Sequence, residues 1–447
     1  MDIDSIDLYL EKLKNGTYDN HMQDADLADF LEVVKLHDEE KFFAYINLLK
    51  LEQRAQILME LPVPFMIDYI LATDGTALAE IIEELDSDDA TNLFGIIVKN
   101  DKDKSDKIFS LLAKEIQDTI IHLMSYTEKE AGSLMQTELF SVPSYKSMAQ
   151  AIELLAQLKQ EGIGMVQHLF VTDERGKFIK SIPIDDLLIE EREQPLAQII
   201  EKFPKSCSLQ AHDHIDNVID SFTKYNLTTL AVLDHKGYLL GRITHDDVVD
   251  LMHQQATQQL YNLNKLHENE EIHESFIKSS KTRSIWLGVN LVNAIIASLV
   301  IGIFEEILST IVALAILMPI VANMAGTASV QTMTVIIRQM ALGNINLEAL
   351  RPIFIKELNI ALANGILFGF VSVAAAQVWF GNWFVSMAIG LSMLVSFVLA
   401  GFLGTTVPIV LKKMNFDPAI ASSVIVITGV DIIGFFSFLW FAEMIAL

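Results

Sequence analysis

Apolar positions recur three and four residues apart from the start of the chain to about residue 130, as in FFAYINLL and QRAQILMELP, the spacing of amphipathic helices. Helical stretches begin near Leu61, Leu85 and Leu112, 24 and 27 residues apart, which suits a stack of helix pairs or an irregular helical bundle. Ser87-Asp88-Asp89 has the composition of a helix N-terminus, with acidic side chains and a serine beside free amides. The period then changes. FVTDERGKFIKSIPIDDLL (170–188) and AVLDHKGYLLGRITHDDVV (231–249) superpose at a constant offset of 61 residues, placing Asp173 on Asp234, Gly176 on Gly237 and Asp185-Asp186 on Asp246-Asp247. Each copy predicts a strand, a glycine turn, a second strand and a helix opened by an Asp pair, preceded by a further strand and helix.

Beyond a helix continuing from Asp247 to about Asn264 and a polar segment ending in KSSKTR, long uncharged stretches begin. Residues 284–304, 307–337 and 358–411 carry no charge, and the 54-residue stretch divides at FGNWF (380–384) into two spans. With 418–441 these make five membrane-crossing helices. Lys278, Lys281 and Arg283 precede the first; Arg338, Arg351 and Lys356 lie between the second and third; Lys412 and Lys413 precede the fifth. The alternate loops contain no Lys or Arg, so a cytoplasmic N-terminal part and an outside C-terminus are expected, in a bacterial-type inner (plasma) membrane.

Charge follows the same division. Of 32 basic and 58 acidic residues, 27 and 51 lie before Ser284, so that part holds −24 of the net −26. This excess argues against nucleic acid as partner and favours cations, although acid also serves simply to keep a domain soluble. The single Cys207 excludes an intramolecular disulfide and any multi-cysteine metal site, and the acidic N-terminus lacks the pattern of a cleavable signal. No catalytic constellation or phosphate-binding glycine loop is evident, and His212 and His214 fall in an expected loop without zinc spacing.

One charge stands out: Asp431, near the middle of the last apolar run. A carboxylate there costs about 2.5–3.5 kcal/mol by insertion scales, so it faces a bundle interior or a wet path, either paired with a polar group or holding a cation. The second span holds Pro319, Asn323, Gly326, Thr327, Ser329 and Gln331, residues that permit close packing or line a path. Thr428 and Gly434 join them as lining candidates from the last helix, and Asp417-Pro418 has the form of a helix start. Two Asp431 side chains meeting between two copies would need a cation between them, and a hard, hydrated divalent ion suits carboxylates and polar oxygens.

The strand, helix, strand, strand, helix order, repeated once, resembles a tandem pair of cystathionine-β-synthase-type (CBS) domains, which sense ligands. With SYTEKEAGSLMQTELFSV (125–142), WLGVNLVNAIIASLVIGIFEE (286–306), RQMALGNI (338–345) and DPAIASSVIVITGVDIIG (417–434), residues from about 25 to the C-terminus resemble the MgtE family of magnesium channels and transporters. The resemblance implies a multidomain membrane protein: an acidic helical domain (1–130), a CBS pair (131–250, divided near 195), a connecting helix and linker (251–283) and a five-helix transmembrane domain (284–447). It implies a homodimer in membrane lipid and a pore lined by spans two and five. Asp431 would form the central Mg2+ site, regulatory Mg2+ would be bound at domain contacts, and ATP at the CBS pair. Asp247, Asp250 and Asp88 are the candidate regulatory ligands and Asp417 a further metal candidate.

Two departures stand against that pattern. Where the family has Gly-Gly-Asn-x-Gly-x-Gln in span two, this chain reads Ala325-Gly326-Thr327-Ala328-Ser329-Val330-Gln331, which opens the ion's identity to Co2+ or Mn2+ as well as Mg2+. Where the connecting helix carries Glu-x-Glu-Ala-Thr-Glu-Asp, this one has His253-Gln254-Gln255-Ala256-Thr257-Gln258-Gln259, removing charge and predicting weakened gating by Mg2+. A membrane-anchored CBS sensor without transport is the reading from another functional class.

Overall fold

Acidic residues at short breaks divide the N-terminal region into helices. In the computed structural model, which describes residues 23–160, 163–263, 276–341, 350–414, 416 and 418–446, these are α1 (Asp24–His37), α2 (Glu39–Ile46), α3 (Leu51–Glu60), α4 (Val63–Ala72), α5 (Gly75–Glu84), α6 (Ser87–Asn100), α7 (Lys102–Leu111) and α8 (Lys114–Leu123). Asp38, Asp74 and Asp101 each accept a hydrogen bond from a first-turn amide, of Lys41, Thr76 and Lys104 respectively, at 2.9–3.1 Å. From α3 onward each helix packs on the next but one, α3 on α5, α5 on α7, α4 on α6 and α6 on α8. The expected starts near residues 61, 85 and 112 are therefore those of α4, α6 and α8, and alternate helices separate them. One continuous apolar core runs from Leu27 to Ile120, with Phe42, Ile57, Leu58, Tyr69, Leu78 and Ile81 fully buried.

The repeated segment folds as two copies of one sheet. In the first, β1 (Ser141–Pro143) pairs parallel with β2 (His168–Thr172), which pairs antiparallel with β3 (Phe178–Pro183). Helix α9 (Met148–Gln160) connects β1 to β2. In the second, β4 (Ser208–Gln210), β5 (Thr229–Leu233) and β6 (Leu239–Thr244) repeat that order and register. Each β2–β3-type turn is made the same way: Asp173 and Asp234 accept two backbone amides each at 2.8 Å. Gly176 and Gly237 supply the φ of +84° and +87° that a residue with a side chain resists. The two turns touch, with Phe178 N donating to Gly237 O at 3.0 Å.

The copies differ after their third strand. In the first, the Asp185-Asp186 pair opens only a four-residue α10 (Ile184–Leu187), and the polar run to Pro195 ends it before a short α11 (Leu196–Ile199). In the second, after α12 (Ile215–Tyr225), the matching Asp pair opens the 19-residue α13 (His245–Leu263). The chain divides after Gln254 into two units, the first ending at that residue.

The second unit contains α14 (Phe276–Gly302), a short α15 (Glu305–Thr310), α16 (Val312–Ala341), α17 (Leu350–Phe380), α18 (Trp383–Lys413) and α19 (Pro418–Ala446). Five of these are long and apolar enough to cross a membrane, as the uncharged runs predict. The FGNWF break is a turn in which Gly381 takes φ +63° and the Asn382 side chain caps α18 by accepting the amide of Phe384 at 3.0 Å. Helices α17 and α18 lie close because glycines face each other. An added Cβ on Gly401 would sit 2.6 Å from Ala361 Cβ, and one on Gly369 would sit 3.0 Å from Gly390 O. Gly401→Ala is expected to lower thermal stability in detergent by about 1–3 kcal/mol, the usual cost of overpacking. Adding Ala361→Gly should recover most of the loss; a double variant no more stable than Gly401→Ala in the same melt would show that this contact does not set the packing.

Candidate functional sites

In the first unit the start of α6 meets the second repeat. Ser87, expected to cap its helix, uses its hydroxyl otherwise: it accepts from Thr137 N at 2.8 Å and donates to Glu138 Oε2 at 2.9 Å. Gln136 exchanges two backbone hydrogen bonds with Arg242 on β6, 2.8 and 2.9 Å long, and its amide donates to Asp88 Oδ2 at 3.1 Å. Gly241 makes this approach possible, since a Cβ there would lie 2.6 Å from Gln136 O. The 136–138 strap therefore ties α6 to β6.

That tie gathers acids of like charge. Burial, followed by the charge of Asp247, pushes the Asp88 carboxyl up to about 8. The same two causes raise Asp89 to about 7, and burial raises Asp247 to about 6 although Thr244 Oγ1 donates to it at 2.6 Å. Asp86 is raised by burial and by Glu138, against the opposing charge of Arg242, and Glu60 by burial and by Asp250. Asp88 Oδ1 is buried without a hydrogen-bond partner among the described residues. Asp88 and Asp247, singled out in the sequence, thus come together here, whereas Asp250 is exposed at the edge. Among the described residues no three His, Cys, Asp or Glu side chains are grouped closely enough to hold a metal by themselves. His212 and His214 have separate roles: the first lies 2.9 Å from Glu130 Oε1, and the second caps α12 by accepting Asp216 N at 3.3 Å.

The second unit presents a different arrangement. On α16, Asn323, Thr327 and Gln331 follow at intervals of four and are exposed, as is Pro319, while Gly326 is half-buried. Ser329 lies on the packed face, fully buried, its hydroxyl donating to Gly326 O at 2.7 Å. On α19, Asp431 is half-buried beside fully buried Val430, and no hydrogen-bond or ion-pair partner for it exists among the described residues. Gly434 is buried against Ser396 and Val321, the latter 3.7 Å from where its Cβ would stand. Helices α16 and α19 run in opposite senses, so that contact brings Asp431 level with Asn323 and Thr428 level with Thr327. Thr428 itself donates to Val424 O at 2.7 Å. Asp417 lies outside the described residues. Sequence reasoning grouped Ser329 and Gly434 with the exposed polar positions; a count of turns from Asn323 separates Ser329 from them, but the burial of Gly434 has no local signal.

The acid cluster sets a pH dependence. A carboxyl raised in the folded state binds more protons there than in the unfolded chain, so its contribution to stability is present below the ordinary 3.8 and lost as pH rises through the raised value. In divalent-free buffer the first unit is expected to melt at progressively lower temperature from about pH 4 to about pH 8, with Asp88→Asn flattening the slope. A pH-independent melt in that window would contradict the burial of these acids.

Comparison with known proteins follows this geometry. Profiles of the MgtE intracellular N domain match residues 22–129, of the CBS domain 131–193 and 204–254, and of the MgtE divalent cation transporter 318–441. Magnesium transporter MgtE of Thermus thermophilus is 26% identical over 325 residues, 72% of this chain and 71% of the relative. Its counterpart in Enterococcus faecalis is 24% identical over 313 residues, 70% and 68% of the two chains. A crystal structure of the soluble part of a magnesium transporter shares the fold with TM-score 0.50 and 22% identity, covering 57% of this chain and 98% of that one. Matched from its first helices through the repeated sheets to its apolar helices, the chain belongs to the MgtE family of divalent cation transporters.

Proposed function

We propose that the chain is a passive Mg2+ uptake channel or transporter of the inner (plasma) membrane, working as a homodimer with its N-terminal part in the cytosol. Asp431 carries this reading. A carboxylate in a membrane helix with no protein cation paired to it among the described residues, level with Asn323 and next to an exposed polar stripe, is suited to a partly hydrated divalent ion. The stripe of Asn323, Thr327 and Gln331, with Thr428, would line the path, and a second copy would cover it. Asp417, at the start of the same helix, would meet the ion at its cytosolic end. An inside-negative potential supplies the drive, about 4.6 kcal/mol per 100 mV for a divalent ion.

The first unit would be the regulator, comprising an acidic helical domain to about residue 130 and a CBS pair to about 250, joined by the linker to about 283. Mg2+ keeps most of its water and needs only one or two carboxylates, so Asp88 and Asp247, with Asp250 at the margin, suffice as regulatory ligands without a dense cage. The orphaned Asp88 Oδ1 and the hard oxygen donors fit such an ion. Because Gln255, Gln258 and Gln259 bring no charge to the connecting helix, gating by cytosolic Mg2+ would be weakened and would rest on this cluster. ATP at the CBS pair belongs to the same reading by resemblance.

Purified protein in liposomes with an imposed inside-negative voltage provides the test. Asp431→Ala is expected to reduce Mg2+ flux at least tenfold. Undiminished flux would overturn the reading, retention of ligand binding without any wild-type flux would favour a sensor, and Co2+ or Mn2+ outcompeting Mg2+ would change the cargo. Asp88→Asn with Asp247→Asn should weaken Mg2+ binding by the full chain several-fold in calorimetry; unchanged isotherms would place the regulatory sites elsewhere.

A further inference from the structure

One face of α16 is polar over much of its length. At about 100° per residue, Asn323, Thr327, Gln331, Thr334 and Arg338 fall within about 80° of one another, and all five are exposed. The opposite side of the helix packs on α18 and α19, through Ser329 and Thr332 against Gly404 and Val321 against Gly434. A face turned to lipid would be apolar, so an exposed row of amides and hydroxyls in a helix of membrane-crossing length has the composition of a wet wall.

Arg338 ends this row, in the last turn of α16. Its guanidinium has no hydrogen-bond or ion-pair partner among the described residues. Lys412 Nζ of α18 donates to Met340 O at 3.4 Å, two residues beyond Arg338, so a second positive charge stands at the same end. A basic residue in a last helical turn suits both the helix dipole and the positive-inside bias, but either is met at any rotation about the axis. Neither accounts for a place on the polar row. At 1.5 Å per residue Arg338 stands about 10 Å along the helix from Gln331 and about 22 Å from the level of Asn323, beyond a screening length of about 8 Å, so it does not serve to neutralise Asp431.

We propose that Arg338 restrains efflux: its fixed charge at the cytosolic end of the path lowers the local divalent concentration there and makes Mg2+ flux larger inward than outward. This deepens the reading of the polar stripe as the path, and rests on that reading and on the orientation given with it. Ions entering from outside gather at the far end and meet Arg338 only after crossing, whereas ions from the cytosol meet it first. A divalent ion feels a fixed charge twice as strongly as a monovalent one, and in a homodimer the fixed charge is doubled. The excess acid of the N-terminal part has the opposite sign and would favour entry from the cytosol, so it does not produce this asymmetry.

Patches excised from giant spheroplasts expressing the full chain, with equal Mg2+ on both faces, test the proposal, and Asp431→Ala supplies the background. Wild-type current is expected to be larger inward than outward at equal and opposite voltages. Arg338→Gln should raise outward current about threefold or more with a smaller change inward, whereas Arg338→Lys should keep the wild-type ratio. Choline chloride at about 1 M on the cytosolic face contracts the screening length to about 3 Å and should bring the ratios of wild type and Arg338→Gln together. An unchanged ratio in Arg338→Gln overturns the proposal, as does a difference that survives the salt or an Arg338→Lys that behaves as Arg338→Gln does. Wild-type current no larger than that of Asp431→Ala overturns the reading of the path itself, and this proposal with it. Should Arg338→Gln fail to reach the membrane, the wild type decides alone: an inward preference that is lost in the salt supports the proposal, and one that persists overturns it.

Discussion

A carboxylate withdrawn from water must find a proton or a cation, and that requirement governs both units of the chain. In the first, Asp88, Asp89 and Asp247 are half-buried near one another and their protons are held up to about 8, 7 and 6. In the second, Asp431 and Glu357 lie within helices of membrane-crossing length with no protein cation paired to either among the described residues. Neither arrangement is a route to stability, since like charges raise each other's cost and apolar side chains would pack as well. On the function proposed above, what both would provide is sensitivity to an external cation.

In the first unit that sensitivity would act through a defined set of contacts. Gln136 holds Asp88 with its side chain and β6 with its backbone, while Ser87 holds Thr137 and Glu138 just beyond, so α6 is fixed to the second sheet through this strap. The backbone pair of Gln136 with Arg242 sets the register, and the carboxyls of Asp88 and Glu138 are themselves part of the tie, so register and protonation are linked.

Local pattern made most of the architecture legible. The constant 61-residue offset reappears in matched Asp-capped turns with Gly176 and Gly237 at positive φ, because turn chemistry is a property of four or five adjacent residues. The uncharged runs reappear as five long helices because length and apolarity are likewise local. Helix α15 escaped notice, being six residues between two spans. The acid cluster was only partly visible: Asp88 and Asp247 could be named, but that they approach each other depends on the 136–138 strap, a contact between distant parts of the chain. The burial of Glu357 has no local signal: it follows from Gly401 and Ala361 drawing α17 against α18.

The departures in span two have unequal consequences once their faces are known. Ala325 is fully buried in a cluster with Val426 and Val430, so its methyl fills packed space away from the exposed stripe. Ser329, where the family has glycine, is fully buried with its hydroxyl donating to Gly326 O, so it lies off the exposed stripe. Thr327 alone of the three lies on the stripe, between Asn323 and Gln331 and level with Thr428. On the proposed reading of the stripe as the path, a hydroxyl there in place of a carboxamide would shorten the reach of the oxygen and lose a donor while keeping the surface polar. On that reading, a shift in ion preference relative to the family would be concentrated at Thr327, one helical turn from the level of Asp431.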